Sequence, residues 1–369
     1  MRNDRRVLLV TSIGACRTIS MADKTSSEHI DGIVIRQANP DDVSNIAALF
    51  RYVYQQTSHP FTQDSTVSKS IIGNSNFWVL ALSGEQLVAC TAIVHHIWNQ
   101  TYESGSSVTH PDWQASGIGR QLLIHASKWM LSQPNCEILY GVPRRFAMHY
   151  LFVKRFGYPY ILVGHDGAMD YANGELEFHG LALMCHPERI VRRVQPDHLP
   201  KPFADSVDEQ LLAHLSFETR QGAYPNDFIV GPNQQTALHA TDGKTHVRLR
   251  LSGDDLGNTI YWDGLTSTTT SVDAAIYLAK LIASLGRVRF VRAYVLADKI
   301  EFAHLLKQQG FHLSAYLPGW YHAEGNRYDC FLLTRRTVNH TTNTNTNGFD
   351  ALIEQVASWD AQLGVDQHE

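Results

Sequence analysis

Gly117 and Gly119 stand one residue apart between a strand-like segment and a helix-forming run, in the stretch VTHPDWQASGIGRQLL at residues 108–123. Glycine allows a ligand to approach the backbone closely, and the unpaired N–H groups of a first helical turn attract an anion. The segment therefore has the composition of a loop that holds a pyrophosphate. A lone Gly-x-Gly is also compatible with a plain strand-to-helix turn.

The loop differs from two phosphate-binding motifs that share its glycines. A P-loop would continue with Lys followed by Ser or Thr, and this sequence does not. The dinucleotide-binding fingerprint G-x-G-x-x-G would require a glycine at the position of Leu122. The loop is therefore neither of these motifs.

Strand and helix patterns place the loop inside a mixed sheet. Residues 31–38 alternate like a strand, and Asn39 and Pro40 then predict the start of a helix. Residues 77–98 are predicted to form two strands with a tight turn between them. After the loop come a predicted helix, the strand CEILYGV, the helix RFAMHYLFVKRF ending at Gly157, and the strands YPYILVGH and LEFHGLALMC. This order predicts an α/β fold with a mixed, mostly antiparallel central sheet of about seven strands, flanked by helices.

The loop resembles the acyl-CoA-binding motif of the GNAT N-acetyltransferase superfamily. In that family, Q/R-x-x-G-x-G/A follows a strand ending in Val-x-x-Pro; here Val108-Thr109-His110-Pro111 precede Gln114-Ala115-Ser116-Gly117-Ile118-Gly119. Gly157-Tyr158 also stand where the family has Gly-Phe. The resemblance covers about residues 31 to 186 and implies the acyl-CoA N-acyltransferase fold.

The resemblance implies that the chain uses acetyl-CoA as its acyl donor and needs no metal. The pyrophosphate would be held by the cradle residues Gln114, Ala115, Ser116, Gly117, Ile118, Gly119 and Arg120. A gap between the fourth and fifth strands would admit the pantetheine arm, and backbone N–H groups near Ser107 and Val108 would polarise the thioester carbonyl. A deprotonated amine would then attack the carbonyl carbon directly.

Glu103 is the candidate general base. It lies eleven residues before Gln114, the spacing at which the resemblance implies a catalytic glutamate. The alternative is a solvated glutamate at the start of a strand, and His95, His96 and His110 are other candidates for the base near the same cleft.

The usual general acid of the family is missing. The family's tyrosine, four residues before the Gly of Gly-Phe, is replaced by Val153. Either the CoA thiolate leaves without an acid, or Tyr150, one helical turn earlier, or another group takes this role.

The second half of the sequence repeats the order of predicted elements in the C-terminal part of the first half. FVKRFGYPYI at 152–161 and LLKQQGFHLS at 305–314 both show a helix ending in Lys-x-x-Gly-aromatic. Because TSTTT stands where the cradle would be, residues 235–337 are predicted to be a degenerate GNAT-like copy that bounds the acceptor cleft. Arg248, Arg250 and Arg292 are candidates to contact an acidic acceptor, or are solvated charges on strand faces.

Composition sets the remaining expectations. With 31 Lys+Arg against 36 Asp+Glu and a net charge of −5, no nucleic acid or anionic membrane is expected as a partner. The five cysteines form no CxxC pair and the histidines no HExxH, so neither a disulfide framework nor a zinc site is expected. The expected location is cytoplasmic.

The sequence also predicts the structure of the segments outside the two predicted domains. Residues 1–29 are predicted to be a disordered or mis-assigned extension rather than an export signal. The GNAT domain would occupy 30–186, a linker with one helix 187–234, and a polar linker 338–348. Residues 349–369 are predicted to form an amphipathic helix that docks on the body or on another subunit, so an oligomer through this helix is possible.

The leading functional prediction is an acetyl-CoA-dependent N-acetyltransferase that acts on a primary amine of a small molecule or peptide. One alternative is a non-catalytic acyl-CoA-binding regulatory module, which the replacement of the usual tyrosine by Val153 would favour. Another is S-acyl transfer to a carrier-protein thiol, which would not need the base.

Overall fold

The computed structural model describes twelve stretches of the chain. These are residues 32–54, 60–72, 76–149, 153, 160–166, 169–171, 175–232, 238–252, 259–285, 288, 290–336 and 344–364. The extension predicted for 1–29 and the candidate acid Tyr150 lie outside them.

The first half alternates strands and helices in the predicted order. Its strands are β1 Ile33–Gln37, β2 Asn76–Ser83, β3 Gln86–His96, β4 Thr101–Thr109, β5 Ile138–Gly141, β6 Ile161–His165, β7 Met169–Tyr171, β8 Glu175–Glu177 and β9 Gly180–Cys185. Its helices are α1 Val43–Tyr54, α2 Asp64–Ile72 and α3 Ile118–Ser132. Of the helix predicted for 145–156, residues 146–149 and 153 are described and are helical.

The main sheet of the first half runs in the order β1-β2-β3-β4-β5-β9-β6. All neighbours are antiparallel except β4 and β5, which are parallel. The prediction of a mixed, mostly antiparallel sheet is therefore confirmed.

Helices cover both faces of this sheet. On one face Trp78 and Leu80 pack with α1, and on the other Val79 and Ala81 pack with α3. This alternation is what the period of two along a strand requires when both faces are buried.

The described part of the second half contains ten strands. They are β10 Val191–Val194, β11 Phe217–Arg220, β12 Asp227–Val230, β13 Leu238–Thr241, β14 Thr245–Ser252, β15 Thr259–Ser267, β16 Phe290–Leu296, β17 His312–Ala323, β18 Asn326–Arg336 and β19 Thr344–Asn345. The helices are α4 Lys201–Gln210, α5 Ser271–Ser284, α6 Ile300–Gln308 and α7 Asp350–Leu363.

Two segments expected to be linkers are partly ordered as strands. Residues 187–234 contain β10, β11 and β12 as well as the predicted helix. β10 enters the main sheet, where its Val191, Arg193 and Val194 are buried. Within 338–348, β19 pairs with β8. In the first of these segments, burial of Val191 and Val194 outweighs the Pro-rich flanks.

The strand pairing of the two halves is alike. β4 pairs in parallel with β5 over four positions, and β15 pairs in parallel with β16 over four positions. In both halves the ladder between the first of these strands and its antiparallel neighbour is interrupted by a bulge, in β3–β4 and in β14–β15. The difference is β12, whose Ile229 pairs with both β15 and β16.

The halves join edge to edge in one sixteen-stranded sheet, through β6 and β17. Their pairing is Gly164 with Ala315. Gly164 has a φ of 145°, and a Cβ built on it would lie 2.4 Å from the Ala315 Cβ. The junction therefore requires glycine. It also gives the halves a common core, in which Val163 and Leu183 cluster with residues of the second half.

The C-terminal helix α7 packs on its own chain. Its buried residues Leu352, Val356, Trp359 and Leu363 belong to the core shared by both halves. Trp359 Nε1 also donates to Ser206 Oγ at 3.0 Å. The predicted amphipathic helix is thus present, but the apolar face that was a candidate for an oligomer contact is already covered, so oligomerisation through it finds no support.

Candidate active site

The glycine loop connects β4 to α3. Pro111–Trp113 form one 3-10 turn, and α3 begins with Gly117 as its N-cap residue. Ala115 and Gly117 have positive φ values of 62° and 88°. Such left-handed residues fold the backbone so that amides line a concavity, and residues 114–117 are exposed to solvent. The loop therefore offers amides and a helix N-terminus to an anion.

Gly119 is not required by packing within the protein. A Cβ built on it would meet nothing closer than Thr109 Oγ1 at 3.7 Å, an ordinary contact. A glycine inside a helix costs about 1 kcal/mol relative to alanine. The absence of a side chain at Gly119 therefore leaves the first turn of α3 open to a ligand.

A gap opens between β4 and β5 beyond their last pair, Ser104 with Gly141. β5 ends there, whereas β4 continues through a bulge at Ser106, which has a φ of 49°. Ser107 and Val108 follow the bulge on the stretch of β4 that has no β5 partner. Both predicted residues therefore lie beside the gap.

Glu103 and Tyr140 face each other at the edge of this gap. They are paired positions of β4 and β5, and the Tyr140 hydroxyl donates to Glu103 Oε2 at 2.7 Å. His96 Nε2 lies 2.9 Å from the same oxygen and 2.7 Å from the Tyr140 hydroxyl. The three side chains form a closed triangle.

The protonation of this triangle follows from its contacts. Burial acts to raise the pKa of Glu103, but hydrogen bonds from His96 and Tyr140 and the charge of Arg292 outweigh it, so that pKa lies below its usual range. Burial and the adjacent Glu103 carboxylate hold the pKa of Tyr140 well above its usual range. At neutral pH Glu103 is therefore an ionised carboxylate and Tyr140 a hydrogen-bond donor.

A cavity of about 120 Å³ lies next to the triangle and between the two halves. Its polar side chains are Glu103, Tyr140, Asp166, Arg292 and Tyr294, and its apolar wall consists of Val142, Val163, Leu181, Ala182, Leu183, Leu317 and Trp320. Residues of β4, β5, β6, β9, β16 and β17 line this one space.

Asp166 is a second carboxyl group in the cavity wall. It directly follows β6 and is buried; its Oδ1 accepts from the His179 backbone N–H at 3.2 Å. Burial raises its pKa to about 7. A carboxyl group with this pKa exchanges a proton near neutral pH, which suits a general acid or base.

The structure separates the other sequence candidates. His95 stacks on Tyr102 with ring centroids 4.4 Å apart, and His110 stacks on Tyr52 at 4.6 Å. Neither lines the cavity. Val153 packs against the core beneath α3. Of the three histidines, His96 alone contacts Glu103 among the described residues.

The three candidate arginines also differ in their surroundings. Arg250 pairs with the Asp263 carboxylate, and Arg248 donates to the Asp263 backbone carbonyl at 3.2 Å. Arg292 lines the cavity.

Tyr140, Asp166 and Tyr294 were not identified from the sequence. Tyr140 could have been proposed from the predicted strand CEILYGV. If that strand pairs in parallel with β4 from residue 138 onward, Tyr140 lies opposite Glu103. Asp166 and Tyr294 reach the cavity through the long-range junction of β6 and β17, which has no local pattern.

No group of three or more His, Cys, Asp or Glu side chains is placed to hold a metal ion in the described part of the chain. None of the described helices has the length and apolarity needed to cross a membrane.

Comparisons with known proteins address the family. Residues 43–158 match the family model of the Acetyltransferase (GNAT) family. No curated protein matches the chain.

Similar solved structures cover less than half of the chain. They include a ribosomal-protein-S5-alanine acetyltransferase from Vibrio fischeri, 16% identical over 43% of this chain and 95% of that one, with a TM-score of 0.36. A GNAT-family acetyltransferase from Streptococcus pneumoniae is 15% identical over 42% of this chain and 99% of that one, with a TM-score of 0.35. An aminoglycoside 6'-N-acetyltransferase complexed with coenzyme A is 16% identical over 42% and 98%, with a TM-score of 0.33.

The family match includes the glycine loop, the gap and the Glu103–Tyr140 pair. It confirms the resemblance on which the sequence prediction was based. Residues 43–158 thus match the acetyltransferase (GNAT) family, and the loop and the Glu103–Tyr140 pair of the candidate site lie within these residues.

Proposed function

We propose that the chain is an acetyl-CoA-dependent N-acetyltransferase that acts on a primary amine of a small molecule or peptide. The observation that carries this proposal is the position of Glu103 and Tyr140 at the edge of a gap that leads to the glycine loop. The amides of the cradle residues would hold the CoA pyrophosphate, and the gap would take the pantetheine arm. The acyl group would then arrive beside the Glu103 carboxylate.

The proposed reaction needs one base and a polarised carbonyl. The amine lone pair attacks the thioester carbonyl carbon, the carbon–sulfur bond breaks, and the amine gives up a proton. Glu103, ionised at neutral pH, is the proposed acceptor of that proton, and Asp166 is a second candidate because its pKa is about 7. Backbone N–H groups near Ser107 and Val108 are the proposed donors to the carbonyl oxygen. Tyr150 stays the proposed source of the proton taken up by the CoA thiolate.

We also propose that residues 235–337 are a degenerate copy of the first domain. The shared order of parallel and antiparallel pairs supports this. β12 lies where a pantetheine arm would lie in the first half, and TSTTT replaces the glycine loop. The proposed CoA site is therefore in the first half.

The proposed location is cytoplasmic. It is supported by Cys90, Cys136, Cys185 and Cys330, which are buried and free of disulfide bonds.

Calorimetry with CoA and acetyl-CoA tests the proposed site. Gly117→Asp places a side chain and a negative charge in the cradle and should abolish binding. Gly84→Asp is the matched control, because Gly84 also has a positive φ, of 59°, and has open space around it in the β2–β3 turn. Equal CoA binding by the two variants would locate the cradle elsewhere, and no binding by the native chain would overturn the proposal.

A thiol-release assay with a panel of amines tests the reaction. Glu103→Gln should lower kcat while leaving CoA affinity unchanged, since Glu103 lies at the edge of the gap and not in the cradle. Tight CoA binding without turnover on any amine would favour a non-catalytic acyl-CoA-binding module. Turnover with a carrier-protein thiol and not with amines would favour S-acyl transfer.

A further inference from the structure

Arg292 holds the place in the second half that Tyr140 holds in the first. Tyr140 is opposite Glu103 in the third of four β4–β5 pairs, and Arg292 is opposite Tyr261 in the third of four β15–β16 pairs. Both side chains nevertheless line the same cavity. The second half thus places a guanidinium in the wall of the cavity that also contains the proposed base.

The guanidinium of Arg292 keeps unused hydrogen-bond donors. It stacks over the Tyr294 ring, 5.0 Å from the centroid, and its Nη2 donates to the Tyr294 hydroxyl. Its Nε is buried and has no hydrogen-bond partner among the described residues. No carboxylate of the described residues lies within ion-pair distance of it either. An arginine presents five N–H donors and does not lose its proton, so part of this fork is available for an anion.

The titratable groups of the cavity wall influence Arg292 through their charge, but among the described residues none of them forms an ion pair with it. Glu103 is charged, but its carboxylate is already held by His96 and Tyr140. Asp166 has a pKa of about 7, so it is largely protonated below that pH. Tyr140 and Tyr294 have raised pKa values, to which burial contributes most, and are neutral. A partly buried cation with free donors is stabilised when an anion pairs with it.

We propose that Arg292 binds a carboxylate of the acceptor, so that the acceptor is a small amine that also carries a carboxylate. This inference rests on the proposed function, because Glu103 is then the group beside the acceptor's nitrogen. The guanidinium fork matches a carboxylate in a bidentate arrangement, which fixes the far end of the molecule and points the amine toward the gap. Arg292 would be a specificity-determining residue supplied by the half that has no glycine loop.

The size and wall of the cavity limit the acceptor further. A cavity of about 120 Å³ is somewhat smaller than one of roughly 150 Å³, which holds a benzene ring. Leu181, Leu183 and Leu317 belong to its apolar wall. An amine and a carboxylate joined by a short hydrocarbon chain fit this description, as in small amino acids.

The test uses glycine, β-alanine and 4-aminobutyrate, each with its primary amide, as acceptors in the thiol-release assay. The native chain should prefer at least one acid over its amide. Arg292→Gln should remove that preference, with kcat/KM for the acid falling roughly 10- to 100-fold, mainly through KM, and little change for the amide. Arg192→Gln is the matched control, because Arg192 is exposed on β10. Both variants are checked for folding by thermal unfolding.

A second readout does not depend on turnover. With CoA present, the preferred acid should raise the Tm of the native chain and of Arg192→Gln but not that of Arg292→Gln. Equal turnover of acids and amides, or an equal loss for both in Arg292→Gln, would overturn the carboxylate inference and leave the proposed function standing. Absence of turnover with every amine, together with no CoA binding, would overturn the proposed function itself.

Discussion

The Arg327 guanidinium donates to the Glu137 carboxylate at 2.5 Å, across 190 positions of sequence. It also donates to the carbonyl oxygens of Asn99 and Gln100, at 3.0 and 2.8 Å. Asn99 and Gln100 lie just before β4, and Glu137 lies just before β5. A single residue of β18 therefore anchors the starts of the two strands that carry Glu103 and Tyr140.

Arg327→Ala should destabilise the protein strongly. The Arg327 side chain is 1% exposed, and removal of one partner from a buried charge cluster costs about 3–5 kcal/mol. Chemical denaturation measures the change. Arg51→Ala, at the exposed pair with Asp64, is the matched control and should cost about 1 kcal/mol or less. Similar losses in both variants would show that Arg327 is not a clamp between the halves.

Gly164→Ala should weaken the junction of β6 and β17. The new methyl group would meet Ala315 at 2.4 Å, in a backbone conformation that alanine rarely adopts. The expected loss is on the order of 3 kcal/mol, from both strain and overlap. Gly243→Ala is the control, because Gly243 has a φ of 89° and open space, so strain acts there without overlap. Thermal unfolding should rank the two variants, and a cost at Gly164 no larger than at Gly243 would contradict a tight junction.

Gly105→Ala should move the Glu103 carboxylate without removing it. A Cβ at Gly105 would lie 3.1 Å from Glu103 Oε1, so the carboxylate must shift by a few tenths of an ångström. We expect kcat to fall roughly 10-fold while CoA affinity is unchanged, since small misplacements of a reacting group reduce rate. Gly141→Ala, where the nearest atom is 3.6 Å away, should change kcat less. The thiol-release assay compares them, and the opposite ranking would remove Glu103 from the proposed mechanism.

Asp166→Asn should change how stability depends on pH. The pKa of Asp166 is about 7 in the folded chain and lies near its ordinary value of 3.8 when unfolded. Between these values the folded state binds the proton more tightly, so Asp166 makes the native chain lose stability as pH rises from about 4 to 7. The variant should lack this loss. The difference in the free energy of unfolding between the variant and the native chain should therefore shift in favour of the variant by up to a few kcal/mol from pH 4 to pH 8. Urea unfolding at both pH values measures the gain, and parallel stability curves would contradict a raised pKa.

Local sequence patterns predicted the order of strands and helices in the first half well, because its caps, turns and loop are determined by residues close together in the sequence. The Asn39 cap, the turn at Gly84 and the loop at Gly117 each depend on neighbouring residues. The motif also led to the proposed site residues Ser107, Val108 and Glu103, because all three precede the loop on one strand, β4.

Contacts between distant segments were beyond the reach of such patterns. The pairing of Gly164 with Ala315 and the contacts of Arg327 join positions more than a hundred residues apart. β12 is a four-residue strand, DFIV, in a stretch whose composition resembles a linker. Its position depends on the two strands beside it, β15 and β16, so it can be predicted only when the pairing of the sheet is known.

The position of β12 has a consequence for stoichiometry. Ile229 of β12 is hydrogen-bonded in the sheet between β15 and β16, so the second half is occupied by its own chain where the first half is open. A titration of CoA into the protein should therefore saturate at one molecule per chain, with a single class of site and no cooperativity between halves.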